Sequence, residues 1–212
     1  MDANFWLDRW RHNAIGFHES QANPLLVMHL ASLSLAAGSR IFVPLCGKTL
    51  DIHWLLSRGH KIVGAELSEI AVQQLFAGLG VTPAATTIGQ ITRYSAAGID
   101  IFRGDIFDVS RSDLGPVHAV YDRGALIALP DSMRTRYAGH MQRLTERARQ
   151  LIICLNYEQR LLAGPPFSVD SAEVARLYEA AYDLTLLGSA QVAGGLKGIC
   201  PATEDVWLLT PR

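Results

Sequence analysis

Short apolar runs alternate along the chain with stretches in which apolar positions recur at helical spacing. A continuous apolar run indicates a buried strand, and the helical spacing indicates a helix that buries one face. By these criteria the predicted strands are 40–45, 61–66, 99–102, 117–121, 151–155, 184–192 and 206–210. The predicted helices are 49–57, 68–79, 132–149 and 170–182. Strands and helices therefore alternate through most of the sequence.

This alternation predicts an α/β fold with a mostly parallel sheet and helices on both of its faces. The last two strands have no helix between them, so one of them is expected to run antiparallel. The stretch 81–98, rich in Thr, Ala and Gly, is compatible with a short hairpin or with a loop, and 160–169 is predicted to be a loop. No linker or repeat interrupts the pattern, so residues 1–212 are predicted to form a single domain.

Composition excludes several classes of protein. Hydrophobic residues make up 49% of the chain, which is enough for a sizeable core and excludes a disordered chain. Lys and Arg number 19 against 20 Asp and Glu, and no basic run stands out, so no nucleic-acid partner is expected. The three cysteines are far apart and indicate a reducing compartment rather than a disulfide scaffold. No apolar stretch approaches the roughly 20 residues of a membrane span, so we expect a soluble, cytoplasmic protein. A monomer is the default expectation.

The turns that follow the predicted strands carry the candidate chemistry, because ligands of open α/β sheets bind at the carboxyl ends of strands. The first turn contains Gly47-Lys48-Thr49, but a P-loop needs a glycine where Phe42 stands. The dinucleotide fingerprint G-x-G-x-x-G is absent as well, so neither motif for binding nucleotide phosphates is present.

A nucleoside without phosphates remains as the candidate ligand. Glu66 ends the second strand, 19 residues after Gly47, where a carboxylate can accept hydrogen bonds from both ribose hydroxyls. Asp105 and Ile106 follow the third strand, where they can meet an adenine ring, although Asp at this position is also common as a turn former. An adenosine without phosphates on an α/β sheet indicates S-adenosyl-L-methionine.

A series of short motifs extends over nearly the whole chain. They are F-W at 5–6, W at 10, G-F-H-E at 16–19, V-P-L-C-G-K-T-L-D at 43–51, G-A-E-L-S at 64–68, G-D-I-F-D at 104–108, Y-D-R-G-A-L at 121–126 and G-P-P-F at 164–167. In this order they resemble the thiopurine S-methyltransferase family. The resemblance implies the Rossmann-like, seven-stranded fold of S-adenosylmethionine-dependent methyltransferases, with a mostly parallel sheet and an antiparallel last strand.

The resemblance also implies an activity and a set of site residues. The activity is methyl transfer from S-adenosyl-L-methionine to the sulfur of aromatic or heterocyclic thiols, thiopurines among them, with S-adenosyl-L-homocysteine as product. Phe17 would face the acceptor, and residues 1–20 would form a lid over the site. Catalytic acids or bases are not assigned, because aromatic thiols ionise near neutral pH. The implied cofactor contacts are Trp10, Leu45, Glu66, Asp105, Ile106 and Arg123.

Two alternatives remain open at this point. The acceptor could be a small anion such as halide, thiocyanate, sulfide or a selenium or tellurium species, or the protein could bind the cofactor without catalysis. In 193–197 only Lys197 is basic, where members of the family often carry arginines close to the acceptor, and this departure bears on thiopurine preference. The seven histidines form no ligand pattern, so no metal is expected.

Overall fold

The computed structural model describes residues 3–212, so residues 1 and 2 of the predicted lid lie outside it. Within this range the helices are α1 (Ala3–Arg11), α2 (Pro24–His29), α3 (Leu50–Ser57), α4 (Glu69–Leu79), α5 (Arg111–Leu114), α6 (Ala125–Ala128), α7 (Asp131–Leu144) and α8 (Ser171–Tyr178). The strands are β1 (Arg40–Val43), β2 (Lys61–Glu66), β3 (Ala84–Ile88), β4 (Ile91–Ala96), β5 (Ile99–Arg103), β6 (Ala119–Arg123), β7 (Arg149–Tyr157), β8 (Tyr182–Gln191) and β9 (Ala202–Pro211).

The strands form a single sheet in the order β3-β4-β5-β2-β1-β6-β7-β9-β8. Strands β5, β2, β1, β6 and β7 are parallel to their neighbours in this series, as the alternation with helices predicted. Strand β9 runs antiparallel to both β7 and β8, which confirms the antiparallel last strand. Strand order reverses at β1, because the chain continues to β2 and β5 on one side and then to β6 on the other. The crevice beyond the carboxyl ends of β1 and β6 is therefore the topological switch point.

Of the two possibilities left open for 81–98, the structure has the hairpin, β3–β4, whose two antiparallel strands extend the expected seven-stranded sheet to nine strands within residues 3–212. Strand β3 is almost wholly exposed, so its sequence lacks the apolar pattern by which a strand is recognised. The predicted helix 132–149 was too long: α7 ends at Leu144, and Glu146 and Arg147 take positive φ angles of 51° and 58° in the turn to β7. The helix predicted over 170–182 likewise ends at Tyr178, where the chain turns into β8.

Two apolar layers, one on each face of the sheet, form most of the core, and a smaller cluster joins the end of β7 to the loop after β8. Neighbouring residues of a strand enter opposite layers, so Ile152 lies in one and Ile153 in the other. The first layer is closed by α7 and α8, through Tyr137, Met141, Val174 and Tyr178. The second is closed by α2, α3 and α4, through Leu26, Ile52, Leu55, Val72 and Leu75. Among residues 3–212, none of the helices is long and apolar enough to cross a membrane.

Candidate active site

The turn after β1 forms the floor of the switch point. Leu45 and Gly47 both take left-handed φ angles, 46° and 53°, which is rare for a residue with a side chain. The N–H of Cys46 donates to the carbonyl oxygen of Ala65 at 3.0 Å, so the turn is fastened to β2. The hydroxyl of Thr49 then caps α3 by accepting from the N–H of Asp51 at 3.3 Å. These bonds hold the chain in the tight turn that brings its backbone to the strand ends.

Glu66 is the last residue of β2, and its carboxylate faces this turn. One carboxylate oxygen accepts from the N–H of Gly47 and the other from the N–H of Ser68, both at 2.7 Å. The residue is only 6% exposed, and burial raises the pKa of the carboxyl while these backbone donors oppose the shift. The N–H of Leu67 is a third backbone donor that favours the ionised form.

The N-terminal segment lies over the same turn. Trp10 of α1 is buried, and its ring is so close to Gly47 that a Cβ at position 47 would stand 3.1 Å from the indole. The ring of Phe17 packs edge-on against Trp10 and Trp6, with centroids 5.8 Å and 5.6 Å apart. Phe17 itself remains 44% exposed, as the predicted acceptor contact requires. Trp10 is thus buried against the turn and lies outside the two layers of the core.

Arg123 ends β6 and forms an ion pair with Glu19 of the N-terminal segment. Both side chains are partly buried, with exposed fractions of 19% for Arg123 and 39% for Glu19. Burial raises the pKa of Glu19, and Arg123 opposes that shift, whereas the charges of Asp51 and Glu204 reinforce it. The pair therefore joins the N-terminal segment to the centre of the sheet, beside the turn that carries Gly47.

Asp105 and Ile106 follow β5 as predicted. The carboxylate of Asp105 accepts from the N–H of Phe107 at 3.0 Å, so this side chain does form the turn that opens the short 3-10 helix Ile106–Asp108. Asp105 is exposed, and its second oxygen has no part in this cap. The side chain of Ile106 is 4% exposed and packs in the core, while its carbonyl oxygen accepts from Nε2 of His140 at 2.9 Å. Contact of either residue with an adenine ring stays a prediction.

A buried polar network under the site was missed by the sequence analysis. Asp51 is 1% exposed, and its carboxylate accepts from the N–H of Asn23 at 2.7 Å and from the hydroxyl of Tyr121 at 2.9 Å. Asn23 in turn caps α2 through its side-chain oxygen, which accepts from the N–H of Leu25 at 2.8 Å. The network links Asn23, just after the N-terminal segment, to α3 and β6. Its members are far apart in the sequence and share no local pattern, so only the fold reveals it.

The predicted site residues are thus gathered along one edge of the sheet. They follow β1 (Leu45), β2 (Glu66), β5 (Asp105 and Ile106) and β6 (Arg123), with Trp10 and Phe17 in the segment above. Within residues 3–212 no three His, Cys, Asp or Glu side chains are grouped to hold a metal ion. The edge offers a buried carboxylate, a close backbone turn and an aromatic cover, which suit a nucleoside.

The sheet has the fold of S-adenosylmethionine-dependent methyltransferases, as solved structures show. A SAM-dependent methyltransferase from Anabaena variabilis superposes with a TM-score of 0.68, at 12% identity, and covers 99% of this chain and 95% of its own. Magnesium protoporphyrin IX methyltransferase from Synechocystis, solved with bound SAH, has a TM-score of 0.65 at 12% identity over 99% of this chain and all of its own. At this identity the likeness concerns the fold.

The family follows from sequence similarity. The family model for thiopurine S-methyltransferase matches residues 1–210. A thiopurine S-methyltransferase from Xanthobacter autotrophicus is 56% identical over 210 residues, covering 99% of both chains. One from Gluconobacter oxydans is 49% identical over 210 residues, covering 99% of this chain and 96% of its own. The protein belongs to the thiopurine S-methyltransferase family, which confirms the resemblance drawn from the motifs.

Proposed function

We propose that the protein transfers the methyl group of S-adenosyl-L-methionine to the sulfur of an aromatic or heterocyclic thiol, with thiopurines among its acceptors. Family membership supports the reaction. The observation that carries it for this chain is the Glu66 carboxylate, which is buried at the switch point and faces the turn that contains Gly47. A carboxylate at this strand end can accept hydrogen bonds from the hydroxyls of a ribose.

The residues present fit this cofactor. Glu66 would hold the ribose, and the turn at Leu45 and Gly47, over which the indole of Trp10 is packed, would lie against the nucleoside. Asp105 and Ile106 stand where an adenine would end, one strand further along the sheet. Trp10 would cover the cofactor from above, and Arg123 would bind it from the end of β6. This assignment retains all six cofactor contacts of the sequence analysis.

When bound, S-adenosyl-L-methionine supplies a methyl group on a sulfonium that a sulfur nucleophile displaces in line. The protein's own part is to align and enclose the reactants, and such positioning contributes roughly 7–11 kcal/mol. Burial raises the pKa of the Cys46 thiol well above its usual range, so this nearby sulfur stays protonated. Arg123 can stabilise the negative charge of an acceptor thiolate, because its guanidinium ends at the same edge of the sheet.

The acceptor would lie beside Phe17 and the loops that follow β7 and β8. Lys197 of the second loop donates to the carbonyl oxygen of Pro165 in the first at 2.9 Å, so the two loops are joined. The N–H of Phe167 donates to the carbonyl oxygen of Ile127 at 2.7 Å, which connects the first loop to α6, directly after Arg123. The basic group of 193–197 is thus engaged with a loop. A negative charge on the acceptor would then interact mainly with Arg123.

We further infer that residues 1–212 act as one domain, with residues 1–20 as a lid whose aromatic side chains exclude water from the reaction. The contacts of Trp10 with Gly47 and of Glu19 with Arg123 support this role. We also propose a cytoplasmic location, which the few and widely spaced cysteines support, and a monomeric state.

Calorimetric titration with S-adenosyl-L-homocysteine tests the cofactor site. Wild type is expected to bind in the micromolar range, about -8 kcal/mol, and Glu66→Ala to bind far more weakly. Glu179→Ala, which removes an exposed glutamate at the end of α8, is the matched control and should bind as wild type does. Loss of binding in both variants, or in neither, would contradict the site.

An acceptor screen then tests the reaction. Wild type is incubated with S-adenosyl-L-methionine and either a thiopurine, thiophenol or thiocyanate, and S-adenosyl-L-homocysteine is quantified. Turnover of the aromatic thiols supports the proposal. Turnover of thiocyanate alone would favour the small-anion alternative, and cofactor binding without any turnover would favour a non-catalytic protein.

A further inference from the structure

Glu19 and Arg123 form an ion pair across 104 residues of sequence, at the place where the N-terminal segment meets the end of β6. Unlike the partners of an ordinary surface salt bridge, both side chains are more than half buried. Because the pair is at the proposed site, the charge of Glu19 affects how the Arg123 guanidinium binds a ligand. The sequence analysis included Glu19 in a motif but gave it no role.

We propose that Glu19 is a positioning residue that sets acceptor specificity: its carboxylate holds the Arg123 guanidinium and neutralises it, so that the site prefers thiols without a second negative charge. The inference rests on the proposed function, because it concerns the acceptor of that reaction. It goes further in assigning the acceptor's charge class to one residue of the lid.

The donors of Arg123 leave room for both partners. A guanidinium carries five N–H groups, and the bond to Glu19 is made by Nη2 alone. The group can therefore hold Glu19 and still face a ligand. Because Glu19 fixes it from the N-terminal segment, the direction of the remaining donors depends on that segment being in place.

Two further carboxylates act on the charge of Glu19, and the cation of Lys48 acts on the adjacent His18. The carboxylates of Asp51 on α3 and Glu204 on β9 lie close enough for their charges to act on Glu19. Two basic side chains of the neighbouring loops are engaged elsewhere: Lys48 donates to Gln74 at 2.8 Å, and Lys197 donates to the carbonyl oxygen of Pro165 at 2.9 Å. An acceptor with an added carboxylate would therefore compete with Glu19 for Arg123 and would meet further negative charge.

This arrangement predicts different effects for two substitutions of Glu19. Glu19→Gln keeps the shape of the side chain but removes its charge, so the full charge of Arg123 becomes available to the ligand. The variant should accept carboxylated thiols better relative to plain thiols. Glu19→Asp keeps the charge on a shorter side chain and should retain the wild-type preference even if turnover falls.

The experiment compares kcat/KM for thiophenol and for para-mercaptobenzoate, which share the reacting thiol and differ in one carboxylate. In Glu19→Gln the ratio of para-mercaptobenzoate to thiophenol is expected to rise about tenfold, the change that 1.4 kcal/mol produces. Combining Glu19→Gln with Arg123→Gln should abolish the rise, because the cation is then absent. Asp8→Asn is the control, since it removes an exposed carboxylate of the same segment, paired only with Arg11.

Two results would overturn the inference. The first is an unchanged ratio in Glu19→Gln, whatever the affinity for S-adenosyl-L-homocysteine, and the second is an equal rise in Asp8→Asn. If wild type methylates neither thiol, the proposed function fails and the inference fails with it. Turnover of thiophenol by wild type with no effect of Glu19→Gln refutes the inference alone.

Discussion

The carboxyl of Glu66, which we propose holds the ribose, opposes folding when it is ionised. This carboxyl is buried, and the resulting rise in pKa means that the folded protein holds the proton more tightly than the unfolded chain does. The protonated form therefore stabilises the fold, fully so below the usual pKa of a glutamate. That stability is lost as the pH rises through the higher pKa of the folded state. At neutral pH the ionised carboxylate is retained at a cost, as a ligand site is expected to be.

The first prediction concerns this pH dependence. The difference in free energy of unfolding between wild type and Glu66→Gln should move in favour of wild type as the pH is lowered from neutral toward the usual pKa of a glutamate. The amide cannot titrate, so it provides the flat reference. The measurement is urea denaturation of both proteins at a series of pH values. A difference that stays constant, or moves in favour of the variant on acidification, would show that folding does not raise the pKa of the Glu66 carboxyl.

For single residues, the sequence predicted where the site side chains lie in the fold, but it did not predict which side chains they contact. Glu66 and Arg123 were placed at strand ends by their distance from apolar runs, and the fold puts both at the switch point. The partners could not be predicted in the same way. Glu19 meets Arg123, and Asp51 meets Tyr121, across 104 and 70 residues of chain, and neither separation leaves a periodic signal. Such contacts depend on where whole elements are packed.

At the scale of elements, the turn after β1 depends on a glycine for two separate reasons. Gly47 has a φ of 53°, which disfavours a side chain, and a Cβ there would press on Trp10 at 3.1 Å. Gly59, after α3, has a φ of 84° but no atom within 4 Å of its Cβ position. A side chain at either position would therefore strain the backbone, but only a side chain at position 47 would also press on Trp10 of the N-terminal segment.

We predict that Gly47→Ala and Gly59→Ala both lose roughly 1–2 kcal/mol of stability, because alanine in a left-handed conformation is strained by about that amount. Only Gly47→Ala should also lose affinity for S-adenosyl-L-homocysteine, since its methyl group displaces the indole that covers the site. Thermal melts and calorimetric titrations of the two variants provide the comparison. Equal affinity in both would show that Trp10 is not held against the turn for binding.

Elements with a clear apolar period were predicted, and those without one were not. Strands β1, β2 and β5 are buried on both faces and appear in the sequence as continuous apolar runs. Strand β3 is exposed, and it forms because β4 offers it an edge with which to pair. The end of α7 was misplaced for a related reason, because the turn at Glu146 and Arg147 lacks the glycine that usually ends a helix.

For the whole molecule, the described part of the N-terminal segment, the proposed lid, lies outside the two apolar layers. The two apolar layers are built from residues that follow the N-terminal segment, beginning at Leu25. Within residues 3–22, Trp10 is the one buried side chain, and it lies against Gly47 rather than in either layer. The link from Asn23 to Asp51 begins just after the segment, so it would survive removal of the lid. The sheet should thus fold without the lid, whereas the site should not be complete.

The last prediction follows from that separation. Deletion of residues 1–20 should leave the far-ultraviolet circular dichroism of the sheet and a cooperative unfolding transition, because neither apolar layer loses a member. Binding of S-adenosyl-L-homocysteine should be abolished, because the aromatic cover and the partner of Arg123 are removed together. Full-length Trp10→Ala keeps Glu19 and loses only the indole, so its affinity is expected to lie between those of wild type and the truncated protein. A truncated protein that binds as wild type does would mean that the segment rests on the site without closing it, and one that fails to fold would place the segment in the core.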